Sequence, residues 1–331
     1  MVVAPPRFPG SVPPTGMIRR PGAADLGQLL PSTVRVRITD AQGTRVVTLP
    51  LEDYVLGAVR AELPPRTLQE DAVDRVLLVQ ALVSRTYALA NLGRHAAEGF
   101  DLCDSTHCQL YRAGASSEHA TDLAARAVAS TRGEVITFDG RIIQALFHSN
   151  CGGHTTSASS AWGGADEPYL QGVDDEFCAH TSPGDWTFVA DEPALRSALD
   201  TDARTRVGAR LNRIDITGRD ASGRAAFIAL SGDRTPLVRA EEFRTVMCRV
   251  FGPQSIRSTQ FDVSRRDGRF VFTGVGYGHG VGLCQVGATL RARAGYSAID
   301  IITHYFPGTR LQSAALALAS ALQDTHAGGN P

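Results

Sequence analysis

Five groups of residues have types and spacings that can do chemistry. Glu62 closes the run LPLEDYVLGAVRAELPP, in which Leu51, Val55, Val59 and Leu63 recur at helical spacing and Pro64-Pro65 stop the helix. Glu62 shares the inward stripe of Val55 and Val59 and lies in the last turn. Partial burial and the negative end of the helix dipole both favour its protonated form, the form a general acid needs. A carboxylate paired with an arginine at a helix end is the plainer alternative. Arg85 interrupts an apolar row between Leu82 and Leu89. A buried guanidinium needs an anion or several acceptors, which Glu62, a substrate acetamido or hydroxyl group, or a purely structural ion pair would supply.

The third group is FHSNCGGHTT, where His148 ends a strand, Ser149 follows and a glycine-rich turn comes next. Strand ends feeding loops commonly carry binding residues. The G-x-S-x-G elbow of a serine hydrolase is missing here, so substrate binding is preferred to a serine nucleophile. The fourth, Gly274–Gly282, alternates glycine with Val275, Tyr277, His279 and Val281. It lacks the G-x-G-x-x-G spacing and downstream acid of a dinucleotide site. Such backbone admits close approach of a ligand, with Tyr277, His279 and Gln285 as side-chain contacts, or makes a tight structural turn. The fifth is CDSTHC, whose Cys103 and Cys108 can chelate one ion together. His95, His107, Cys151 and His154 are candidates for the remaining ligands of a metal ion, although the pattern is not a standard C-x₂-C…C-x₂-C one. A local disulfide competes with that reading, the more so in an exported protein. Cys178, Cys248 and Cys284 are dispersed and read as buried small hydrophobes.

The elements that must position these residues follow from periodicity. Thr33–Ile38 and Arg45–Leu49 pattern as a hairpin, and Glu70–Asn91 as a core helix apolar on most sides. Ser117–Ser130 reads as helix. Glu134–Phe138 and Arg141–His148 read as a hairpin turned by Asp139-Gly140. Leu211–Thr217 with Ala225–Leu230 make another strand pair, before a helix near Glu241–Phe251 and a hairpin at Asp267-Gly268. The glycine block feeds a helix ending near Gly295, and the chain beyond Leu311 is alanine-rich with a loose end. Strands and helices without regular βαβ alternation predict an α+β fold, mixed helices and antiparallel hairpins forming a substrate groove, in two intertwined subdomains.

Composition narrows the function classes. The 331 residues carry 33 Lys+Arg against 34 Asp+Glu, and every strong base is arginine. Without lysine there is no P-loop, no pyridoxal Schiff base and no Ser–Lys base. A net charge of -1 argues against a general nucleic-acid binder. No apolar run approaches the ~20 residues that span a membrane. The first sixteen residues, MVVAPPRFPGSVPPTG, lack a basic region followed by an apolar stretch, so no signal peptide is expected. The proline-rich stretch 1–32 is expected to be an extended, poorly ordered leader.

Taken together, LPLEDYVLGAVRAELP, VQALVSRTYALAN, DLCDSTHCQLY, FHSNCGGHTTSASSAWGGADEPYL and GVGYGHGVGLCQVGATLRARAG…ITHYFPGTRL resemble, in order, the SpoIID/LytB family of stage II sporulation protein D and amidase enhancers. The resemblance covers 33–311, divided at 150, with 312–331 as a tail. It implies a peptidoglycan lytic transglycosylase acting on glycan strands stripped of stem peptides, with Glu62 catalytic. Arg85, His148, Ser149, Tyr277, His279, Gln285 and Tyr305 would bind substrate, and Cys103, Cys108 and His95 would hold zinc. Asn150 departs from the family pattern in HSNCGG, and Tyr277 stands where the family usually has tryptophan, keeping an aromatic platform for a sugar. The resemblance equally implies a non-catalytic alternative that binds glycan and assists a cell-wall amidase. Either role implies a place in the cell envelope.

Overall fold

The structure, a computed structural model, describes residues 31–63, 72–113, 118–179 and 185–327. Residues 1–30 of the leader expected over 1–32, and Glu70 and Asp71 of the helix expected over Glu70–Asn91, lie outside the described residues. The fold is α+β, with small, mostly antiparallel sheets and helices of moderate length. The chain forms two compact units. The first holds the described residues of 4–146, 292–303 and 308–331, and the second holds 147–291 with 304–307. The chain therefore leaves the first unit at Leu146 and re-enters it at Ala292, which is the interleaving in sequence that two intertwined subdomains require.

In the first unit, β1 (Thr33–Asp40) and β2 (Gly43–Pro50) pair antiparallel, with Val34, Val36 and Ile38 buried in alternation. α1 (Leu51–Glu62) buries Tyr54, Val55, Ala58 and Val59. α2 (Val73–Ala90) is buried on nearly every side, as an apolar-all-round helix must be. β3 (Leu102–Cys103) adds parallel to β1. α3 (Glu118–Ser130) leads to β4 (Glu134–Phe138) and β5 (Arg141–Ile142). Asp139 and Gly140, at φ 48° and 77°, supply the two positive φ values of the expected turn. The hairpin is shorter than the alternation predicts. Gln144 turns away from β4 to the C-terminal end of α2, where its Oε1 accepts from Asn91 and its Nε2 donates to the Ala90 carbonyl.

The second unit opens with β6 (Phe147–His148), α4 (Ala158–Trp162) and α5 (Glu176–Ala179). There follow β7 (Trp186–Asp191), α6 (Glu192–Leu199), β8 (Leu211–Arg219), β9 (Ala225–Gly232), β10 (Leu237–Arg239) and α7 (Ala240–Phe251). β11 (Phe261–Arg266), β12 (Arg269–Gly274), β13 (Leu283–Cys284) and α8 (Gln285–Arg293) complete it. Sheets β10-β9-β8 and β11-β12-β7 enclose an apolar core that includes Leu195, Ile228, Phe243, Met247 and Phe272. The chain then forms α9 (Ala298–Tyr305), β14 (Arg310–Ser313), which pairs with β4, and α10 (Ala314–Ala327). The alanine-rich stretch beyond Leu311 is thus a paired strand end and a helix, as its alanine content favours. No helix among the described residues is long and apolar enough to cross a membrane.

Arg85 is 0% exposed and its anion is Glu52, not Glu62. Nε and Nη2 grip the Glu52 carboxylate, Nη2 at 2.7 Å. Nη1 donates to Thr131 Oγ1 and the Glu134 carbonyl, and Nη2 also donates to the Val128 carbonyl. One side chain thereby ties α1, α2, the end of α3 and β4. Arg85, expected to contact substrate, directs these hydrogens to acceptors inside the protein. Glu52→Gln should lower the urea-unfolding free energy of the folded chain by about 3–5 kcal/mol, because it strands a buried cation. Replacing both partners, as Glu52→Leu with Arg85→Met, should cost far less. A change below about 1 kcal/mol for Glu52→Gln would show that the carbonyl acceptors alone satisfy the guanidinium.

Candidate functional site

Glu62 is the last residue of α1 and is half-buried. Its carboxylate Oε1 accepts the Leu110 backbone N–H at 2.7 Å. Leu110 belongs to the segment running from β3 to Arg112, which lies down on α1 and α2. Gly57 allows this, because a Cβ there would sit 2.3 Å from the Tyr111 ring. Tyr111 stacks on Tyr54 at 5.4 Å, Arg112 N–H donates to the Gly57 carbonyl, and Gln109 Nε2 donates to the Ser84 carbonyl. The orientation of the Glu62 carboxyl is therefore set by a loop.

That segment carries Cys103, His107 and Cys108, which form with His95, just before the 3-10 turn Ala96–Glu98, a cluster of four metal-ligating side chains whose donor atoms all lie within 4.8 Å of one another. Cys103 Sγ and Cys108 Sγ are 3.3 Å apart and both cysteines are free. His95 Nε2 is 3.4 Å from Cys108 Sγ, and His107 Nδ1 is 3.7 Å from each sulfur. A tetrahedral zinc ion, with Zn–S of about 2.3 Å and Zn–N of about 2.0 Å, needs donor separations of about 3.3–3.8 Å. The set fits. His95 Nδ1 meets Glu98 Oε1 at 2.6 Å, the carboxylate–histidine arrangement that orients an imidazole toward a metal. The Cys108 thiol, His107 and Ser105 draw Cys103 toward the thiolate, down to about 3, while the neighbouring Cys103 sulfur pushes the Cys108 thiol up. His107 completes the set, and its place in the same S-T-H-C turn as Cys108 was the signal for it.

In the second unit, β6 pairs parallel with β13, placing His148 beside Cys284. Asn150 and Tyr277 exchange backbone hydrogen bonds of 3.0 and 2.8 Å. The glycine block is needed for this interlock. A Cβ at Gly278 would lie 2.8 Å from His148 Cβ, and one at Gly280 would lie 2.4 Å from the Arg224 guanidinium carbon. His148 Nδ1 meets the Val281 carbonyl at 3.2 Å, while the Val281 N–H donates to His279 Nδ1 at 3.0 Å. The His279 ring lies between those of His148 (5.5 Å) and Trp162 (5.2 Å). Burial holds the His148 imidazole well below its ordinary range, with His279 and Arg224 adding to the effect. His279 is pushed down to about 3 by burial and then by Arg244 and Arg224. Both imidazoles are neutral at pH 7, and His148 Nε2 is buried with no hydrogen-bond partner among the described residues.

Of the residues expected to bind substrate, His148, Ser149, Tyr277 and His279 share these interlocked loops. Gln285 opens α8, where the Val286 N–H donates to the Ser149 carbonyl. Tyr277 Oη receives the Gln254 amide at 3.3 Å. Tyr305, expected among the substrate-binding residues, is 2% exposed and donates to Asp175 Oδ2 at 2.8 Å, because an aromatic ring at the end of an apolar helix turns into the core. Trp162, half-buried beside His279, was not anticipated; its signal was a tryptophan in a glycine- and serine-rich loop. His154, considered for the metal, pairs with Asp174 at 3.5 Å in the second unit instead. A shallow cleft lined by Ile214, Thr217, Arg219 and Asp262 contains none of the candidate residues.

Comparison with known proteins bears on both units. The family model described as "Stage II sporulation protein" matches residues 39–138, and a domain of unknown function matches 180–282. Stage II sporulation protein D of Bacillus subtilis is 27% identical over 314 residues, covering 91% of this chain and 85% of that protein. An uncharacterised protein of Brachyspira hyodysenteriae is 32% identical over 78% of this chain and 66% of its own length. The amidase enhancer of Bacillus subtilis is 27% identical over 72% of this chain, which spans only 38% of that longer protein. Because these alignments run well past the N-terminal match and reach both kinds of relative, the chain belongs to the SpoIID/LytB family.

Proposed function

We propose that this protein is a lytic transglycosylase that cleaves the bond between N-acetylmuramic acid and N-acetylglucosamine in peptidoglycan strands stripped of stem peptides. The observation that carries the reading is the Leu110 N–H on Glu62 Oε1, a carboxyl fixed in place by the loop that bears the Cys/His cluster. Glu62 protonates the glycosidic oxygen as the C1–O bond breaks. The resulting carboxylate takes the proton of the muramic C6 hydroxyl, whose oxygen closes on C1 to give a 1,6-anhydro ring. The nucleophile belongs to the substrate, so one carboxyl serves where hydrolysing glycosidases need two. His148, Ser149, Tyr277, His279 and Gln285 bind the glycan, with the half-buried rings of Tyr277 and Trp162 suited to sugar faces.

Cys103, Cys108, His95 and His107 would hold a structural zinc ion, which would cross-link these segments rather than offer a site for substrate. The protein works in the cell envelope. Its likeness to an amidase enhancer supports a second reading, in which the same surfaces bind glycan and assist a cell-wall amidase. The products separate the two, since cleavage leaves anhydromuropeptides and assistance releases stem peptides only when the amidase is present.

Glu62→Gln should abolish anhydro products from peptide-free strands while leaving the circular dichroism spectrum unchanged; full activity in the folded variant rules the mechanism out. Glu98→Gln should weaken zinc binding about 10–100-fold, with turnover lost in parallel and restored by added zinc. Turnover unchanged after the metal is lost would separate the cluster from Glu62.

The buried histidines set an acid limit. Their folded-state pKa values lie below the unfolded value, so the unfolded chain binds more protons below about pH 6.5. Urea midpoints should therefore fall as the pH drops from about 6.5 toward 3, and His279→Gln should flatten that slope. An unchanged slope would mean that His279 protonates freely in the folded state.

A further inference from the structure

The second unit carries another set of ligating side chains, apart from the residues assigned to glycan. Cys151, Asp175, Cys178 and Cys284 are all buried, and their donor atoms lie within 4.8 Å of one another. Cys178 Sγ and Cys284 Sγ are 3.6 Å apart, and Cys151 Sγ is 3.3 Å from Asp175 Oδ2. These separations match the edges of a tetrahedron around an ion with Zn–S of about 2.3 Å and Zn–O of about 2.0–2.2 Å. We propose that these four residues form a second, closed metal site for a thiophilic divalent ion of the zinc class.

The surroundings are built for thiolates. Gly153 N–H points at Cys151 Sγ (3.4 Å), Cys151 N–H at Cys284 Sγ (3.3 Å) and Gly287 N–H at Cys284 Sγ (3.4 Å). The last donor belongs to the first turn of α8, where unpaired backbone N–H groups and the helix dipole favour an anion. A hydrophobic packing role would require none of these donors.

Asp175 is 0% exposed, and its second partner set is that of an oriented ligand. Tyr305 donates to Oδ2, Arg291 approaches Oδ1 at 3.7 Å, and Oδ1 has no hydrogen-bond partner among the described residues. A Cβ at Gly287 would fall 2.0 Å from Asp175 Oδ2, so that helix position must lack a side chain for the carboxylate to enter. A divalent ion leaves three thiolates and a carboxylate with excess negative charge, which buried guanidiniums offset. Arg291 is one. Arg224, 1% exposed, donates Nη2 to the Cys151 carbonyl at 2.7 Å, and its Nε and Nη1 find no hydrogen-bond acceptor among the described residues. Charge of the cluster's sign is what a guanidinium so placed requires.

On binding, each thiol releases its proton to solvent as its sulfur–metal bond forms, and no electron is transferred. The ligands come from the loop after β6, from α5 and its preceding turn, and from the end of β13. The ion clasps those segments beneath the interlocked His148 and His279 loops. The proposal stands independently of glycan cleavage.

The test uses the full chain expressed with zinc and purified under reducing conditions without chelator, with metal counted by elemental analysis and native mass spectrometry. Two ions per chain are expected. The variant Cys103→Ser with Cys108→Ser should keep one ion, and its cobalt form should show thiolate-to-metal charge transfer. Adding Cys151→Ser and Cys284→Ser should remove that ion. A folded Cys103→Ser, Cys108→Ser variant that binds no metal overturns the proposal. So does an intact mass lower by two hydrogens that maps a disulfide among Cys151, Cys178 and Cys284. Should the variant not fold, alkylation decides on the unaltered chain: protection of these three thiols that zinc removal abolishes supports the site, and modification despite bound zinc overturns it.

Discussion

A guanidinium shut away from water must be given its anion by the chain, and the Arg85–Glu52 pair meets that requirement in the first unit. The pair is costly to assemble, because both charges lose hydration, and more costly to break, because either partner alone is then stranded. Its consequence is positional. Glu52 lies in the first turn of α1, so the clamp fixes that end of the helix against α2, α3 and β4. Glu62 lies at the other end and is held by Leu110. A helix pinned at both termini by charged or polar contacts has little freedom to slide, and its last side chain inherits that rigidity.

The second unit solves a different problem with glycine. Its two loops cross so closely that side chains at Gly278 and Gly280 would collide with His148 and Arg224. The space a bare backbone leaves is filled by the protein's own imidazole and guanidinium. Those buried groups then keep each other neutral or paired: Arg224 and Arg244 disfavour a further positive charge on the histidines, and burial adds to the same effect. The two histidines therefore enter the loop as neutral hydrogen-bonding groups, a donor to one face of Val281 and an acceptor from the other.

Much of this was legible in the sequence where a local rule decides the outcome. The helix ending at Glu62, the two Asp-Gly turns and the strand pairs near 211–230 and 261–274 follow from periodicity and turn chemistry. The pairing of Arg85 was not legible, because Glu52 and Glu62 sit on one helix and only the packing of α1 decides which meets it. The resemblance placed Tyr305 among the substrate-binding residues, and nothing local announced that its hydroxyl finds Asp175, a residue 130 positions earlier. The Cys/His cluster was half visible. The C-x₄-C spacing announced two ligands, while the other two needed the turn that brings His107 back and the 3-10 turn at Ala96–Glu98 that aims His95. Cys178 and Cys284 read as hydrophobes because the polar side chains they cluster with lie far away along the chain, 133 residues in the case of Cys151 and Cys284.

The two cysteine clusters answer one physical difficulty. A loop of about ten residues buries too little apolar surface to offset the entropy of holding its side chains in one place. Full burial of a functional group would fix it, but at the cost of desolvating the very atom that must meet a substrate. Cross-linking the loop through a few soft ligands avoids that conflict, since rigidity then comes from a point a few ångströms away. In the first unit the segment from Cys103 to Arg112 is placed for this: its sulfurs are buried, its tyrosine is seated on Gly57, and its Leu110 N–H reaches the half-buried carboxyl. Glu62 can thus remain partly open to solvent and still be held in a single orientation, which neither the helix nor the hydrophobic core would achieve alone.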